Sequence, residues 1–346
     1  MRFNQQKILF ILFSIFCFPS FIVAQNYLIS GVGFYNVENL FDTKDDENVN
    51  DIDFTPQGKN LWNDSKFQKK IKNISKVIKE IGIDVNPDGL AIVGLSEIEN
   101  RGVIEKLVSH ENIAQRNYQI IHYDSPDRRG IDVALIYNPN YFKFKSSKNF
   151  ILKLESNPSF KTRSQLLVSG NLLGERIHFI IAHWPSRSGG EKRSNPNRIA
   201  AAKLGRSIID SIQKSEPDAK IIYMGDLNDD PTNESLTKYM LSNGKKKKLA
   251  NKDMFNPMYE MYKKGIGSLA WRDTWNIFDQ LLLSPTLLNG NIKELQFYNS
   301  KVFRKPYLIQ LDGNYKGYPL RTYAGGNYKG GFSDHLPVYL HLIKEQ

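Results

Sequence analysis

Lys220-Ile-Ile-Tyr-Met-Gly-Asp-Leu-Asn-Asp-Asp230 begins as an apolar run of strand length and breaks after Gly225 into acids and amides. Asp226 and Asn228 are two apart, so on an extended segment both point the same way and can approach one group together. An Asx-rich turn would read similarly, since Asp, Asn and Gly are turn formers. Outward from this stretch the same pattern returns. Leu90 to Ser96 is an apolar strand that ends in Glu97, followed by Ile98-Glu99-Asn100. Phe179-Ile-Ile-Ala182 runs into His183-Trp184-Pro185-Ser186-Arg187, and Gly331-Phe-Ser-Asp-His-Leu-Pro-Val338 sets an acid and an imidazole side by side before an apolar strand. Taken alone, Glu97 is either a capping residue or a ligand for a hard cation. The joint occurrence of these strand ends points to one polar site.

Apolar runs of strand length recur along the chain: Leu28 to Val37, Leu90 to Ile98, Tyr118 to His122, Asp132 to Tyr137, Gln165 to Ser169, Ile177 to His183, Lys220 to Met224, Ile277 to Leu283 and Val338 to Leu342. Between some of them lie helical patterns. Ser65 to Ile81 places Ile71, Ile74, Ile78 and Ile81 at three- and four-residue spacing, with lysines on the other face. Asn197 to Ile212 reads the same way, and Asn195 before Pro196 is expected to cap it. Strands joined partly by hairpins and partly by helices predict a layered α/β sandwich rather than a pure parallel sheet. No tandem repeat or Pro/Gly/Ser linker divides residues 25–346, which are expected to form one domain.

A length of 346 residues with 40% apolar content buries a core and excludes disordered and collagen-like chains. The single cysteine excludes an intramolecular disulfide framework and a thiolate zinc cluster. Lys and Arg number 47 against 36 Asp and Glu, a net charge of +11, which invites a polyanionic partner without bearing on fold. Residues 1–24 read as a secretory signal: Arg2 and Lys7, then the apolar Ile8 to Val23, ending at the small residue Ala24. About 16 apolar residues fall short of the roughly 20 a spanning helix needs. Cleavage would remove Cys17 and leave 45 basic against 36 acidic residues, +9. The expected location is periplasmic or secreted, and the expected state a monomer without a stable protein partner.

In chain order the polar segments are Asn36 in Tyr35-Asn-Val-Glu-Asn-Leu-Phe41, Glu97, Arg129-Gly-Ile-Asp132-Val-Ala-Leu-Ile-Tyr137, His183, Gly225-Asp-Leu-Asn228, Asp279 in Trp275-Asn-Ile-Phe-Asp-Gln280, and Ser333-Asp-His335. They resemble the endonuclease/exonuclease/phosphatase superfamily, which includes DNase I-like nucleases, abasic-site endonucleases, bacterial sphingomyelinases and inositol-polyphosphate phosphatases. The resemblance spans residues 36 to 335, and its most specific part is the order of Gly-Asp-x-Asn and Ser-Asp-His. It implies an α/β fold, a four-layer α/β/β/α sandwich of two mixed sheets with the active site at one end. It also implies a divalent cation, Mg²⁺ first, with Mn²⁺ or Ca²⁺ as alternatives.

A phosphate ester is an anion attacked by a poor nucleophile, so the site must neutralise charge, activate water and protect the leaving oxygen. By resemblance, Glu97 is the principal metal carboxylate, with Asp334 and the amide oxygen of Asn36 close to the metal. Asp226 orients or deprotonates the water, or holds a second metal, and Asn228 hydrogen-bonds a phosphoryl oxygen. His335 acts at the phosphate as acid/base or transition-state donor, oriented by Asp279. His183 contacts the phosphate from the other side, with Asp132 either partnering its second nitrogen or lying on a half-exposed strand. Arg163 is either a phosphate contact or an exposed strand residue. His110, His122, His178 and His341 match no motif and read as structural or surface residues.

Residues 296–332 carry Lys301, Arg304, Lys305, Lys316, Arg321 and Lys329 against Asp312, interleaved with tyrosines 298, 307, 315, 318, 323 and 328. Basic side chains track a phosphate backbone and aromatic faces stack on bases; a tyrosine-rich loop packed on the sandwich would look the same. With the resemblance, this favours an exported nuclease acting on DNA or RNA. Abasic-site enzymes usually carry Gln before the metal Glu, where this chain has Ser96. The alternative within enzymes is a phospholipase C or sphingomyelinase acting on phospholipid headgroups. Residues 333–338 match the Ser-Asp-His-x-Pro-Val of those enzymes, but the sequence shows no aromatic hairpin for entering a bilayer. A non-catalytic binding protein on the same fold is the reading from another class.

Overall fold

The structure is a computed structural model that describes residues 26–346 apart from Ser156. The expected signal segment, with Cys17, lies outside the described residues. In chain order the main strands are β1 (Tyr27–Leu40), β2 (Leu90–Ile98), β3 (Gln119–His122), β4 (Asp132–Tyr137), β5 (Phe142–Phe150), β6 (Gln165–Leu172), β7 (Glu175–His183), β8 (Ile221–Asp226), β9 (Asp279–Leu283), β10 (Gln296–Val302) and β11 (Val338–Glu345). One sheet runs β10-β11-β1-β2-β4-β3; the other runs β5-β6-β7-β8-β9 and continues through the short Met254–Phe255 and Ser242–Asn243. Both sheets are mixed: β1 and β2 are parallel, as are β7 and β8, while β11 runs antiparallel to β1 and β9 antiparallel to β8.

Alternation along the strands explains the layering, because a strand turns successive side chains to opposite faces. Val32 and Phe34 of β1 join Phe179 and Ile181 of β7 in a core between the sheets, while Tyr35 and Val37 face the other way. There they meet α1 (Asp64–Glu80) and α2 (Arg101–Val108) through Ile71, Ile74, Ile78, Ile104 and Leu107. On the opposite outer face, Ile180 and Ala182 of β7 pack on Ala202, Ile208 and Ile212 of α3 (Glu191–Ser215). The order is therefore helix, sheet, sheet, helix, as the resemblance implied.

Helix α3 departs from its sequence reading. It begins at Glu191 rather than Asn197, and Pro196 lies inside it while Asn195 does not cap it. Proline removes a donor from the helical ladder. The fully buried Arg198 compensates by donating to the Glu191 carbonyl (3.0 Å) and the Ser194 hydroxyl (2.7 Å), tying the first turns together.

The sheet geometry places the polar strand ends at one mouth. Asn36 and Glu97 lie at the C-terminal ends of the parallel pair β1 and β2, and His183 and Asp226 at those of β7 and β8, directly paired in register. Antiparallel β9 brings Asp279 opposite Asp226, and β11 starts opposite Phe34, with His335 just before it. Gly225 is required here, since a Cβ at that position would run into the Ala182 carbonyl of β7. Gly225→Ala is expected to cost about 1–3 kcal/mol of stability through overpacking and to displace Asp226. Urea unfolding and an activity assay check both effects.

Candidate active site

Glu97 reaches the mouth through a local irregularity. The pairing of β2 with β4 skips between Ser96 and Ile98, and Glu97 has a φ of 60°. Glu38, Asn39 and Asn228 also sit in the left-handed region, at φ of 49°, 52° and 51°. A non-glycine residue there costs on the order of 1–3 kcal/mol, sustained only where the surroundings impose it. Those surroundings are hydrogen bonds: the Asn39 N–H donates to Glu97 Oε2 (2.9 Å), and the Asn228 N–H donates to Asp226 Oδ1 (3.0 Å).

Asp226 is the centre of the group. Its Oδ2 accepts the Asn36 amide at 3.0 Å and lies 3.5 Å from His183 Nε2 and 3.9 Å from His335 Nε2. Burial pushes its pKa up to about 7, against the pull of the His335 charge and with Asp279 and Glu97 adding to the rise. His335 Nδ1 bonds Asp279 Oδ2 at 2.6 Å, and Ser268 donates to the same carboxylate. Burial opposes the imidazolium, but Asp279, Asp226 and Asp334 outweigh it and hold His335 well above 6.5. His183 moves the other way: burial, then Arg163, Arg129 and His335, keep it well below 6.5 and therefore neutral. A cationic and a neutral imidazole thus flank one carboxylate poised near neutrality, the separation that acid/base work requires.

Several residues differ from their sequence reading. Asp132 does not partner His183, whose Nδ1 has no hydrogen-bond partner. It belongs to the other sheet, where β4 pairs with β3, and its oxygens take His122 Nε2 (2.9 Å) and the Ser125 N–H (2.8 Å). Asp132 is buried, not half-exposed, and its partner is His122, whose side chain is itself enclosed. Arg163 is buried too, and donates to Asp127 (3.1 Å) and to the Trp184 carbonyl (2.6 Å), bracing the chain after His183. The Asn36 oxygen accepts the Glu38 N–H (3.0 Å), so its amide nitrogen faces Asp226 and, at 3.4 Å, Glu97. Asp334 is paired with Arg321 (2.9 Å); burial would raise its pKa, but Arg321, His335 and Lys70 hold it below the ordinary carboxylate value. Asn228 donates one amide N–H to the Trp184 carbonyl (3.0 Å).

Sequence reasoning missed the support behind Asp334. Glu38 is buried and accepts from Arg321 (3.0 Å) and the Thr322 N–H (2.7 Å), while buried Lys70 lies 3.7 Å away and donates to Thr322 Oγ1 (2.6 Å) and the Phe332 carbonyl (2.7 Å). The signal was present: Lys70 occupies the apolar stripe of α1, four residues before Ile74. Lys70→Met is expected to cost about 1–3 kcal/mol, because it leaves the Thr322 hydroxyl and the Phe332 carbonyl without their donor while Glu38 keeps Arg321; chemical denaturation measures it. Asp229 and Asp230 are likewise structural. Asp229 is fully buried between Arg187 (3.1 Å) and Arg198 (2.7 Å), and Asp230 accepts the Ile277 N–H (2.9 Å).

The residues present fit a small hard cation. Ligand atoms of Asp226, Asp279 and His335 all lie within 4.8 Å of one another. Asp279 takes Nδ1 of that imidazole and the positive charge on His335 leaves no nitrogen lone pair for a cation, so Asp226 and Glu97 remain as the oxygen donors, both facing the Asn36 amide. A carboxylate pushed up to about 7 among other acids is one that a divalent cation would relieve.

Two mixed sheets face to face, with the polar ends of their central strands gathered at one mouth, are the framework of DNase I-like hydrolases. The chain belongs to the endonuclease/exonuclease/phosphatase family, whose model matches residues 31–344. Its members hydrolyse phosphoester bonds and generally depend on a divalent metal. Similar solved structures include a family protein from Bacteroides thetaiotaomicron (17% identity, TM-score 0.55, 93% of this chain and 97% of that one). A mannosyl-6-phosphatase from the same organism is similar at 15% identity (TM-score 0.54, 90% and 99%). So is TDP2 from D. rerio, solved with a single-strand DNA product, at 13% identity (TM-score 0.54, 91% and 98%). At these identities the likeness is one of fold. No sequence among the curated proteins matches the chain.

Proposed function

We propose that the protein is an exported, divalent-cation-dependent phosphodiesterase that cleaves DNA or RNA by attack of water on phosphorus. The observation that carries the choice of substrate is the rim of the mouth. A hairpin of Leu269–Trp271 and Thr274–Asn276 rises beside the site from Ser268, the residue bonded to Asp279. Trp271 on this hairpin is 65% exposed with the Arg272 guanidinium beside it, and the exposed Arg304 lies over the half-buried Trp275. Exposed aromatic faces beside guanidinium groups suit bases and phosphates together. The basic segment 296–332 contributes less than its composition suggests: Arg321 turns inward to Glu38 and Asp334, and Lys301 pairs with Asp84.

The hairpin also supplies the exposed aromatic that a lipid phosphodiesterase would need. Its tip, however, is Arg272-Asp273, both at positive φ, and a charged tip enters a hydrocarbon layer poorly.

In this reading, Asp226, held by Asn36 and the Asn228 N–H, takes a proton from the attacking water. His335, kept cationic by Asp279, donates to the phosphoryl or leaving oxygen. Neutral His183 adds an uncharged imidazole on the opposite side, and the second amide N–H of Asn228 is directed to a phosphoryl oxygen. Glu97 would hold the cation, which would supply charge neutralisation at the phosphate and acidify bound water, leaving Asp226 to take the proton.

A substrate panel tests the proposal: single-stranded and plasmid DNA, RNA, phosphatidylcholine and sphingomyelin vesicles, and phosphate monoesters, each with Mg²⁺ and with EDTA. Cleavage of nucleic acid that EDTA abolishes is the expected result, with Trp271→Ala raising KM more than it lowers kcat. Cleavage of vesicles or monoesters alone would replace the nuclease reading. Export is tested separately by N-terminal sequencing of the cell-free or periplasmic protein, expected to begin at Gln25.

A further inference from the structure

Away from the mouth, four consecutive lysines, Lys245 to Lys248, follow Ser242–Asn243, the outermost strand of the second sheet, and all four are exposed. Lys252, Lys263 and Lys264 add to them along the chain, against Asp253 and Glu260. Lysines elsewhere on the surface meet acids: Lys238 pairs with Glu234 (3.0 Å), Lys301 with Asp84 (2.7 Å) and Lys344 with Glu175 (2.7 Å). Among the described residues, Lys245 to Lys248, Lys252, Lys263 and Lys264 form no ion pair.

The lysine turn is held in place by its neighbours. The Asn243 side chain spans it, accepting the Lys245 N–H (2.9 Å) and donating to the Lys248 carbonyl (3.5 Å). Gly244, at its start, lies so close to the Tyr259 ring that a Cβ would collide with it. Lys246 Nζ sits over Phe297, 4.8 Å from the ring centre, and 5.4 Å from that of Phe255. Phe297 belongs to β10, the edge strand of the first sheet, so the turn bridges the edges of both sheets on this side.

Strand β10 leads from the turn to the mouth. Arg304, just past its end, lies over Trp275 of the hairpin beside the active site, and exposed Lys305 follows. From Phe297 to Arg304 the extended chain covers roughly 20 Å. That exceeds twice the Debye length of about 8 Å at physiological salt, so the lysines do not reach a phosphate in the mouth through their field. They act only by touching a polyanion long enough to extend along β10.

We propose that Lys245 to Lys248 form a second, non-catalytic binding surface for the polynucleotide cleaved at the mouth, gripping its phosphate backbone on the order of 20 Å from the scissile bond. This rests on the nucleic-acid reading above and gives it a length dependence: at 3.4 Å per base pair, a duplex must run about six base pairs beyond the cut to reach the turn. A polynucleotide fits better than an anionic bilayer because Arg304 and Lys305 continue the positive charge from the turn to the mouth, the track of one chain that occupies both.

The test compares the parent, the combined variant Lys245→Gln, Lys246→Gln, Lys247→Gln and Lys248→Gln, and the matching four arginine substitutions. The substrates are bis(4-nitrophenyl) phosphate, an oligonucleotide of about four nucleotides, and one of about forty, single-stranded and as a duplex, each long enough or too short to reach the turn. The glutamine variant is expected to cleave the small diester and the short oligonucleotide as the parent does, which also shows that it folds. On the long substrate its KM should rise about tenfold or more, and the slope of log KM against log salt should fall by about three, the share of roughly four phosphates. The arginine variant should keep the parental values. An unchanged KM and salt slope on the long substrate would overturn the proposal, as would an equal loss on the short one. Lysine-dependent binding to phosphatidylglycerol vesicles with long-substrate KM unchanged would give the turn to a membrane and overturn it equally. Turnover of the small diester with neither oligonucleotide cleaved would overturn the nucleic-acid reading itself, and the proposal with it.

Discussion

Asp226→Asn is expected to lower kcat by about 10³-fold, within the roughly 10²–10⁴-fold that a positioned acid or base contributes. Asparagine keeps the shape and can still accept the Asn228 N–H, but it cannot take a proton at neutral pH. The same substitution should not destabilise the apo protein. The folded pKa of Asp226, about 7, lies above the ordinary aspartate value. Its protonated form therefore favours folding, fully so below the unfolded pKa, and that contribution is lost as pH rises through about 7. Above that window, with EDTA present, the asparagine variant should be at least as resistant to urea as the parent. A variant that is inactive because it is unfolded would contradict the assignment, and so would a folded variant with parental kcat.

Asp279→Asn is expected to reduce activity at neutral pH by about 10²-fold or more, chiefly by changing what His335 is. Asp279 is a positioning residue: it holds the Nδ1 side of the imidazole and is foremost among the carboxylates that keep it charged. Because the folded pKa of His335 is raised, the cation contributes stability below the unfolded pKa, and this is lost as pH rises through the folded value. Without the Asp279 charge, burial works with less opposition and the pKa falls. The alkaline limb of the kcat profile should therefore move to lower pH, with activity partly recovered on acidification. A uniform loss at every pH, with the limb unmoved, would show that Asp279 acts only through packing.

The strand ends were legible because two constraints coincide there. Alternating or continuous apolar runs mark where a strand lies, and a carboxylate or imidazole at its end has no packing role to explain it. Asn36, Glu97, His183, Asp226, Asn228, Asp279, Asp334 and His335 are accordingly all brought to one mouth. What residue patterns do not encode is which strands become neighbours. Asp132 follows Ile131 in a plausible motif, yet its strand pairs with β3, so His122 receives it and His183 does not. Arg163 reads as a phosphate contact or an exposed strand residue; only the folded structure shows Asp127 and the Trp184 carbonyl closing over it.

Other features were illegible because tertiary partners override local preference. Pro196 reads as a helix start until Arg198 is seen bonding the carbonyl of Glu191. The edge strand Phe142–Phe150 carries Lys143, Lys145 and Lys148 and lacks a continuous apolar run; such charges protect an edge from further pairing. The hairpin bearing Trp271 is too short and mixed to announce itself, though its Arg272-Asp273 turn is charged and therefore exposed. Lys70 shows the reverse: one charge on an apolar stripe is an informative anomaly, because it must find a buried partner.

The most direct test of the account follows cleavage of a defined oligonucleotide by metal-stripped protein resupplied with Mg²⁺, beside folded Glu97→Gln, Asp226→Asn and His335→Ala. The account predicts strand cleavage by the parent, none with EDTA, and a loss of about 10²-fold or more in each variant. Intact oligonucleotide in the presence of Mg²⁺, Mn²⁺ or Ca²⁺, or cleavage by the three variants at the parental rate, would contradict it.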